Sequence, residues 1–141
     1  MSDKSFIDTN VLIYAYDVDA SAKHEIAKAI LQDLWSNSSG VLSTQVLQEF
    51  YVNVTKKITS PLPKETARRV VNSYAPWCVQ TSPDELAAAF RIEDEARIGF
   101  WDALIVASAI KSDAVRILSE DLNPQQIIGR VRIENPFVKI H

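Results

Sequence analysis

The chain has 141 residues, 47% hydrophobic and 23% charged, with three glycines and one cysteine, a composition that can bury a core and excludes disorder, collagen-like repeats and a disulfide scaffold. Fifteen Lys and Arg against eighteen Asp and Glu give a net charge of −3, so a nucleic acid must be held by a local patch or by metal ions rather than by bulk attraction. Asp8, Asp17 and Asp19 interrupt the N-terminal stretch and no apolar run approaches the roughly 18 residues of a membrane span, so the expectation is a single domain over residues 1–141, with no signal peptide and no membrane association, in the reducing cytoplasm.

In chain order, Ser5-Phe6-Ile7 is an apolar run stopped by Asp8-Thr9-Asn10, residues that cap helices or make turns. A short helix is predicted over 11–16. A second follows Ser21, with Ile26, Ala27, Ile30, Leu31 and Leu34 on one stripe. The serine-rich stretch 36–40 reads as a loop and Val41-Leu42 as a buried strand. The spacing predicts a helix over 44–59, stopped by Ser60-Pro61-Leu62-Pro63, and another over 64–74. Residues 77–79 read as a strand. Ser82-Pro83-Asp84-Glu85 is a helix start, with serine at the cap, proline at the first position and glutamate three residues on. That helix should reach about Arg97, with Gly99 separating it from the apolar segment 100–110. Residues 115–118 and 130–133 read as the last strands. Strands alternating with helices imply a mostly parallel sheet covered on both faces. Ligand sites in such sheets lie beyond the carboxyl ends of the strands.

Two acids fall at that rim, Asp8 after the first strand and Asp121 after Leu118-Ser119-Glu120. Taken alone, Asp8 reads as a helix cap and Asp121 as a turn residue. Glu49 sits at the edge of the stripe Val46, Leu47, Phe50, Val54 and Ile58, with Asn53 one turn on. Asp102 opens a segment that is apolar nearly all round and projects between Val106 and Ala109. A buried charge there costs several kcal/mol unless it is paired, protonated or metal-bound. Four clustered carboxylates would repel one another and raise their own pKa values. Mg²⁺ or Mn²⁺, which take hard oxygen ligands and bridge carboxylates to phosphates, would resolve that repulsion.

Residues 6–15 (Phe6-Ile7-Asp8-Thr9-Asn10-Val11-Leu12-Ile13-Tyr14-Ala15), then Gln45-Val46-Leu47-Gln48-Glu49-Phe50, Trp101-Asp102-Ala103-Leu104-Ile105-Val106-Ala107 and Leu118-Ser119-Glu120-Asp121-Leu122 occur in that order. Together they resemble the PIN-domain ribonucleases, and among these the VapC-type toxins of toxin–antitoxin pairs. The resemblance implies an α/β fold, a three-layer α/β/α sandwich with a mostly parallel sheet of four or five strands. It places the family's acids on Asp8, Glu49, Asp102 and Asp121 as catalytic metal ligands, with Glu120 adjoining the fourth as an alternative. Thr9, Asn10 and Ser119 take positions that orient ligands or water. The activity implied is metal-dependent hydrolysis of RNA phosphodiester bonds, leaving a 5′-phosphate and a free 3′-OH, with Mg²⁺ or Mn²⁺ as cofactor. The partners implied are an RNA substrate, a cognate antitoxin and a second copy of the chain in a homodimer.

Two other readings are weighed. A phosphotransferase using Asp8 as nucleophile wants a second acid two residues on, where Asn10 stands. An inactive RNA- or protein-binding module of the same fold would be expected to lose one or more of the acids, and all four are present. Lys56, Lys57, Arg68, Arg69, Arg91 and Arg97 could track RNA phosphates but read first as solvated helix faces, and Trp35, Trp77 and Trp101 could stack bases but read first as core or interface residues. His24 reads as a surface residue and Cys78 as a small buried one. Tyr14, Tyr16 and Tyr51 carry no assigned role.

Overall fold

A computed structural model describes residues 3–138. The strands are β1 (Ser5–Ile7), β2 (Gly40–Ser43), β3 (Cys78–Val79), β4 (Arg116–Leu118), β5 (Ile127–Ile128) and β6 (Val131–Glu134), in the spatial order β3-β2-β1-β4-β6-β5. All neighbours are parallel except β5 and β6. The helices are α1 (Thr9–Tyr16), α2 (Ala22–Asn37), α3 (Thr44–Lys56), α4 (Lys64–Ser73), α5 (Pro83–Ala96) and α6 (Phe100–Lys111). Every residue of β1 and β2 is buried, as expected of parallel strands covered on both faces in a three-layer α/β/α arrangement. α5 packs against α6, which in turn contacts β2, β4 and β6, while α1 packs against α2 and α3. No helix among the described residues is long and apolar enough to cross a membrane.

The register fixes the rim. Ile7 lies opposite Leu118, and Ile117 opposite Ile133. Both ladders run one hydrogen bond past their strands: Asp8 N–H donates to Leu118 O (3.1 Å) and Ser119 N–H to Glu134 O (3.0 Å). The residues just beyond β1 and β4 are therefore held by sheet geometry rather than left to loop flexibility.

The elements differ from the sequence reading in a few places, each with a local cause. α2 extends two residues into the serine stretch, to Asn37, where Ser36 Oγ donates back to Gln32 O (3.0 Å) and Ser38 closes the helix at φ 53. α3 stops at Lys56, and the Lys57 and Ile58 N–H groups both turn back to Asn53 O. Trp77 belongs to a 3₁₀ turn, Ala75–Trp77, which leaves β3 only two residues. Its ring packs on Trp35 and Tyr74, at centroid distances of 4.6 and 5.2 Å, and lies so close to Gly40 that a Cβ there would overlap it. The sixth strand is β5, a two-residue hairpin partner of β6 that turns through Gly129 at φ 60. His24 is half-buried, its Nδ1 2.9 Å from Tyr14 O. Cys78 is half-buried too, its Sγ 3.3 Å from Thr44 Oγ1.

Candidate active site

Successive connections run from β1 outward to β2 and β3, whereas β4 lies on the other side of β1. The crevice between the carboxyl ends of β1 and β4 is thus a topological switch point, where doubly wound sheets bind ligands. Asp8 stands there as the N-cap of α1. Its Oδ1 accepts the Thr9 N–H (2.7 Å) and its Oδ2 accepts the Ser119 hydroxyl (2.7 Å). Ser119 Oγ in turn accepts the Asp121 N–H (3.1 Å), so one buried hydroxyl links the two rim acids.

Asn10 completes the bridge. Its side-chain N–H donates to Asp121 Oδ2 (3.1 Å) and lies 3.5 Å from Asp8 Oδ2, while its Oδ1 accepts the Glu120 N–H (3.0 Å). An aspartate here would add negative charge and lose those donated bonds, which is a physical reason for the amide and weighs against the phosphotransferase reading. From α3, Glu49 reaches the site through the Thr9 hydroxyl, which donates to its Oε1 (3.1 Å), while Asn53 Nδ2 donates to Glu49 O (2.8 Å). Thr9, Asn10 and Ser119 all hold the acids rather than standing apart from them.

Asp102 occupies the first turn of α6 and is half-buried, because that turn emerges from the core before the buried stretch 103–109 begins. Full enclosure, as the apolar sequence around it suggests, is therefore not reached. The electrostatics nonetheless join it to the others. Burial, and then the Asp121 carboxylate, push the Asp102 carboxyl above its ordinary range. Asp8 is pushed up to about 6, chiefly by burial, against the Ser119 and Thr9 hydrogen bonds and with added repulsion from Asp121 and Glu49. Asp121 thus acts on both Asp8 and Asp102, and Glu49 acts on Asp8.

Glu120 faces elsewhere. Its carboxylate accepts the Tyr14 hydroxyl (2.6 Å) and pairs with Lys23, and although burial opposes it, these partners hold the Glu120 carboxyl below its usual range. Lys23 also lies over the Tyr14 ring, 5.1 Å from its centroid, and Tyr14 stacks edge-on against Phe137. Sequence reasoning missed Tyr14 and Lys23 as a clamp on the 119–121 turn. Their only signal was a tyrosine one helical turn beyond Asn10, which many helices would carry.

The donors are hard carboxylate and hydroxyl oxygens, the set that Mg²⁺ and Mn²⁺ take. Among the described residues, no three His, Cys, Asp or Glu side chains converge into a ready-made cation cage. Mg²⁺ commonly keeps several waters and is held by one or two carboxylates plus a substrate phosphate. Acids coupled through Asp121 fit that open kind of site. The Lys23, Lys111 and Arg116 ion pairs go to Glu120, Glu85 and Glu134 instead.

The PIN-domain family model matches residues 5–129. No curated protein sequence matches the chain. Among solved structures, a chain of the FitAB assembly bound to an IR36 DNA fragment superposes with a TM-score of 0.68 at 18% identity, over 97% of this chain and 98% of that one. A chain of VapBC2 from Rickettsia felis, bound to a fragment of its promoter DNA, gives 0.64 at 20% identity, over 93% and 97%. VapC20 from Mycobacterium tuberculosis, a toxin that cleaves the sarcin–ricin loop, gives 0.60 at 17% identity, over 84% and 90%. At these identities the superpositions show a shared fold.

Proposed function

The chain belongs to the PIN-domain family, and from that premise we propose that it is a metal-dependent endoribonuclease, the toxin of a toxin–antitoxin pair. The observation that carries the reading is the coupling of Asp8, Glu49, Asp102 and Asp121 at the switch point, with the Asp8 carboxyl pushed up to about 6 by burial and neighbouring negative charge. Asp8 and Asp102 would hold a divalent cation directly, with Glu49 and Asp121 completing its shell directly or through water. When bound, the cation lowers the pKa of an attacking water and stabilises charge on the phosphate. Ser119 and Thr9 orient Asp8 and Glu49 by hydrogen bonds, and Asn10 sets the spacing between Asp8 and Asp121.

A toxin–antitoxin complex from Klebsiella pneumoniae, which superposes with a TM-score of 0.67 at 18% identity, and the sarcin–ricin-loop-cleaving toxin VapC20 support an RNA substrate and an antitoxin partner. The site of action follows as the cytoplasm, where such RNA resides. The deciding experiment incubates purified protein with a pool of structured RNA that includes transfer and ribosomal RNA, in Mg²⁺, Mn²⁺ or EDTA. The expected outcome is cation-dependent cutting that leaves 5′-phosphate ends and is absent in Asp8→Asn. No cutting by antitoxin-free, metal-supplied protein would replace the nuclease with an RNA- or protein-binding module.

A further inference from the structure

Beside the acids along the same rim lies a second concavity of about 430 Å³, lined by Thr44, Gln45, Gln48, Gln80, Trp101 and their neighbours. Thr44 follows the end of β2 and Gln80 the end of β3, so the cleft occupies the next two strand ends beyond β1. Two helices line both features. On α3 the cleft residue Gln48 precedes the acid Glu49, and on α6 the cleft residue Trp101 precedes Asp102. A residue and its successor on a helix point about 100° apart, so the cleft and the acids are adjacent faces of the same two helix ends.

The walls define the chemistry of an occupant. Trp101 is 65% exposed, where the sequence suggested a core or interface residue. Its ring is braced edge-on by Phe100 at 5.1 Å, which is flanked by Phe90 at 5.8 Å. The remaining cleft residues are amides, hydroxyls and Leu104, with no charged side chain among them. The Gln45 side-chain oxygen is buried without a hydrogen-bond partner, so this amide gains the bond it lacks only by turning toward a donor in the cleft that Gln45 lines. A phosphate finds no cation in such a cleft. A flat, neutral group with donors and acceptors on its edge finds both a stacking face and hydrogen-bonding partners.

We propose that this cleft is a nucleobase subsite, taking one unpaired base of the RNA strand next to the scissile phosphate, with Trp101 as its stacking face and the Gln45, Gln48 and Gln80 amides reading its edge. The proposal rests on the nuclease reading for its substrate class. It makes Trp101 a specificity residue rather than a catalytic one, and it confines recognition to single-stranded or splayed-out positions, because a paired base could not enter.

The test measures anisotropy of a fluorescein-labelled RNA of mixed sequence, about 12 nucleotides long, and of an abasic oligomer of the same length. Ca²⁺ replaces Mg²⁺ for binding, and cleavage is scored separately in Mn²⁺. Trp101→Ala should weaken binding of the base-bearing RNA about tenfold, within the range of a lost base–aromatic stack. Trp101→Phe should retain most of the affinity, and the abasic oligomer should bind all three proteins equally. Equal binding of the base-bearing RNA by wild type and Trp101→Ala overturns the subsite, as does a wild-type chain that binds neither oligomer. Loss of a dimer by sedimentation in Trp101→Ala, with base-independent weakening, also overturns it and makes the aromatic face a contact between copies. Normal cleavage with unchanged binding in the variant rejects the subsite alone. A wild type that cuts nothing, yet loses base-dependent binding in the variant, rejects the nuclease alone.

Discussion

Asp8 combines three roles that its neighbours make compatible: it extends the β1–β4 ladder, caps α1 and offers a carboxylate to the crevice. Asparagine caps a helix as well as aspartate, so Asp8→Asn isolates the charge. With its folded carboxyl near 6 against an ordinary 3.8, the folded chain binds more protons than the unfolded chain between those values. The Asp8 contribution to stability therefore declines as pH rises from about 4 to about 6 and stays low above that. In EDTA, Asp8→Asn should remove this slope and be about 3 kcal/mol more stable at pH 7, measured by urea unfolding across pH 4 to 8, while cleavage disappears. A variant less stable than wild type at pH 7 would show that the charge supports the fold. The adjoining acids separate in the same way. Asp121→Asn should abolish cutting, whereas Glu120→Gln, which keeps the Tyr14 hydrogen bond available, should stay within about threefold. The family resemblance placed Asp8, Glu49, Asp102 and Asp121 in one set, whereas strand ends and helix periodicity alone left Asp8 as a cap and Asp121 as a turn residue. It left Glu120 against Asp121 open because that choice depends on Lys23 and Tyr14, distant in sequence and joined only by folding.

Among the elements, α5 and α6 show how local signals and long-range contacts divide the work. The capping box on Ser82 and Glu85 was legible from spacing alone. The ion pair from buried Glu85 to Lys111, which ties α5 to the end of α6, was not. Lys111 and Ser82 hold the Glu85 carboxyl down to about 2. That pair therefore stabilises the fold above about pH 4.5 and is lost as pH falls toward 2, so Glu85→Gln should raise the pH midpoint of acid unfolding followed by circular dichroism. β2 carries a different constraint. Gly40 lies under the Trp77 ring, and Gly40→Ala should cost about 1–3 kcal/mol by forcing the indole off its seat against Trp35, read as a lower urea midpoint with unchanged slope. Short β3 and β5 escaped notice or were overextended because a two-residue strand has no periodicity to read. Only Gly129, at its left-handed turn, marked the hairpin.

For the molecule as a whole, the alternation of strands and helices made a mostly parallel sheet covered on both faces accessible from sequence, while the strand order and register depend on long-range pairing that no local pattern encodes. The charge balance then sets how RNA is held. A chain with eighteen Asp and Glu against fifteen Lys and Arg has no excess of positive charge with which to displace counterions. RNA affinity should therefore depend weakly on monovalent salt, with a log–log slope shallower than about −3, yet fall sharply on EDTA addition in wild type and scarcely at all in Asp8→Asn. Titrating salt and chelator independently separates the two effects.

The hydroxyl that joins Asp8 to Asp121 belongs to Ser119, more than a hundred residues along the chain from Asp8 (a separation of 111). A ribosome that has passed Glu49 but not yet Asp102 has made half of the acids and none of the β4 ladder that aligns Asp8. Because synthesis is vectorial and β1 cannot meet β4 until the latter emerges, the nascent chain is unarmed throughout most of its translation. The rim at which these acids meet is completed late and all at once, when the last third of the chain closes the sheet.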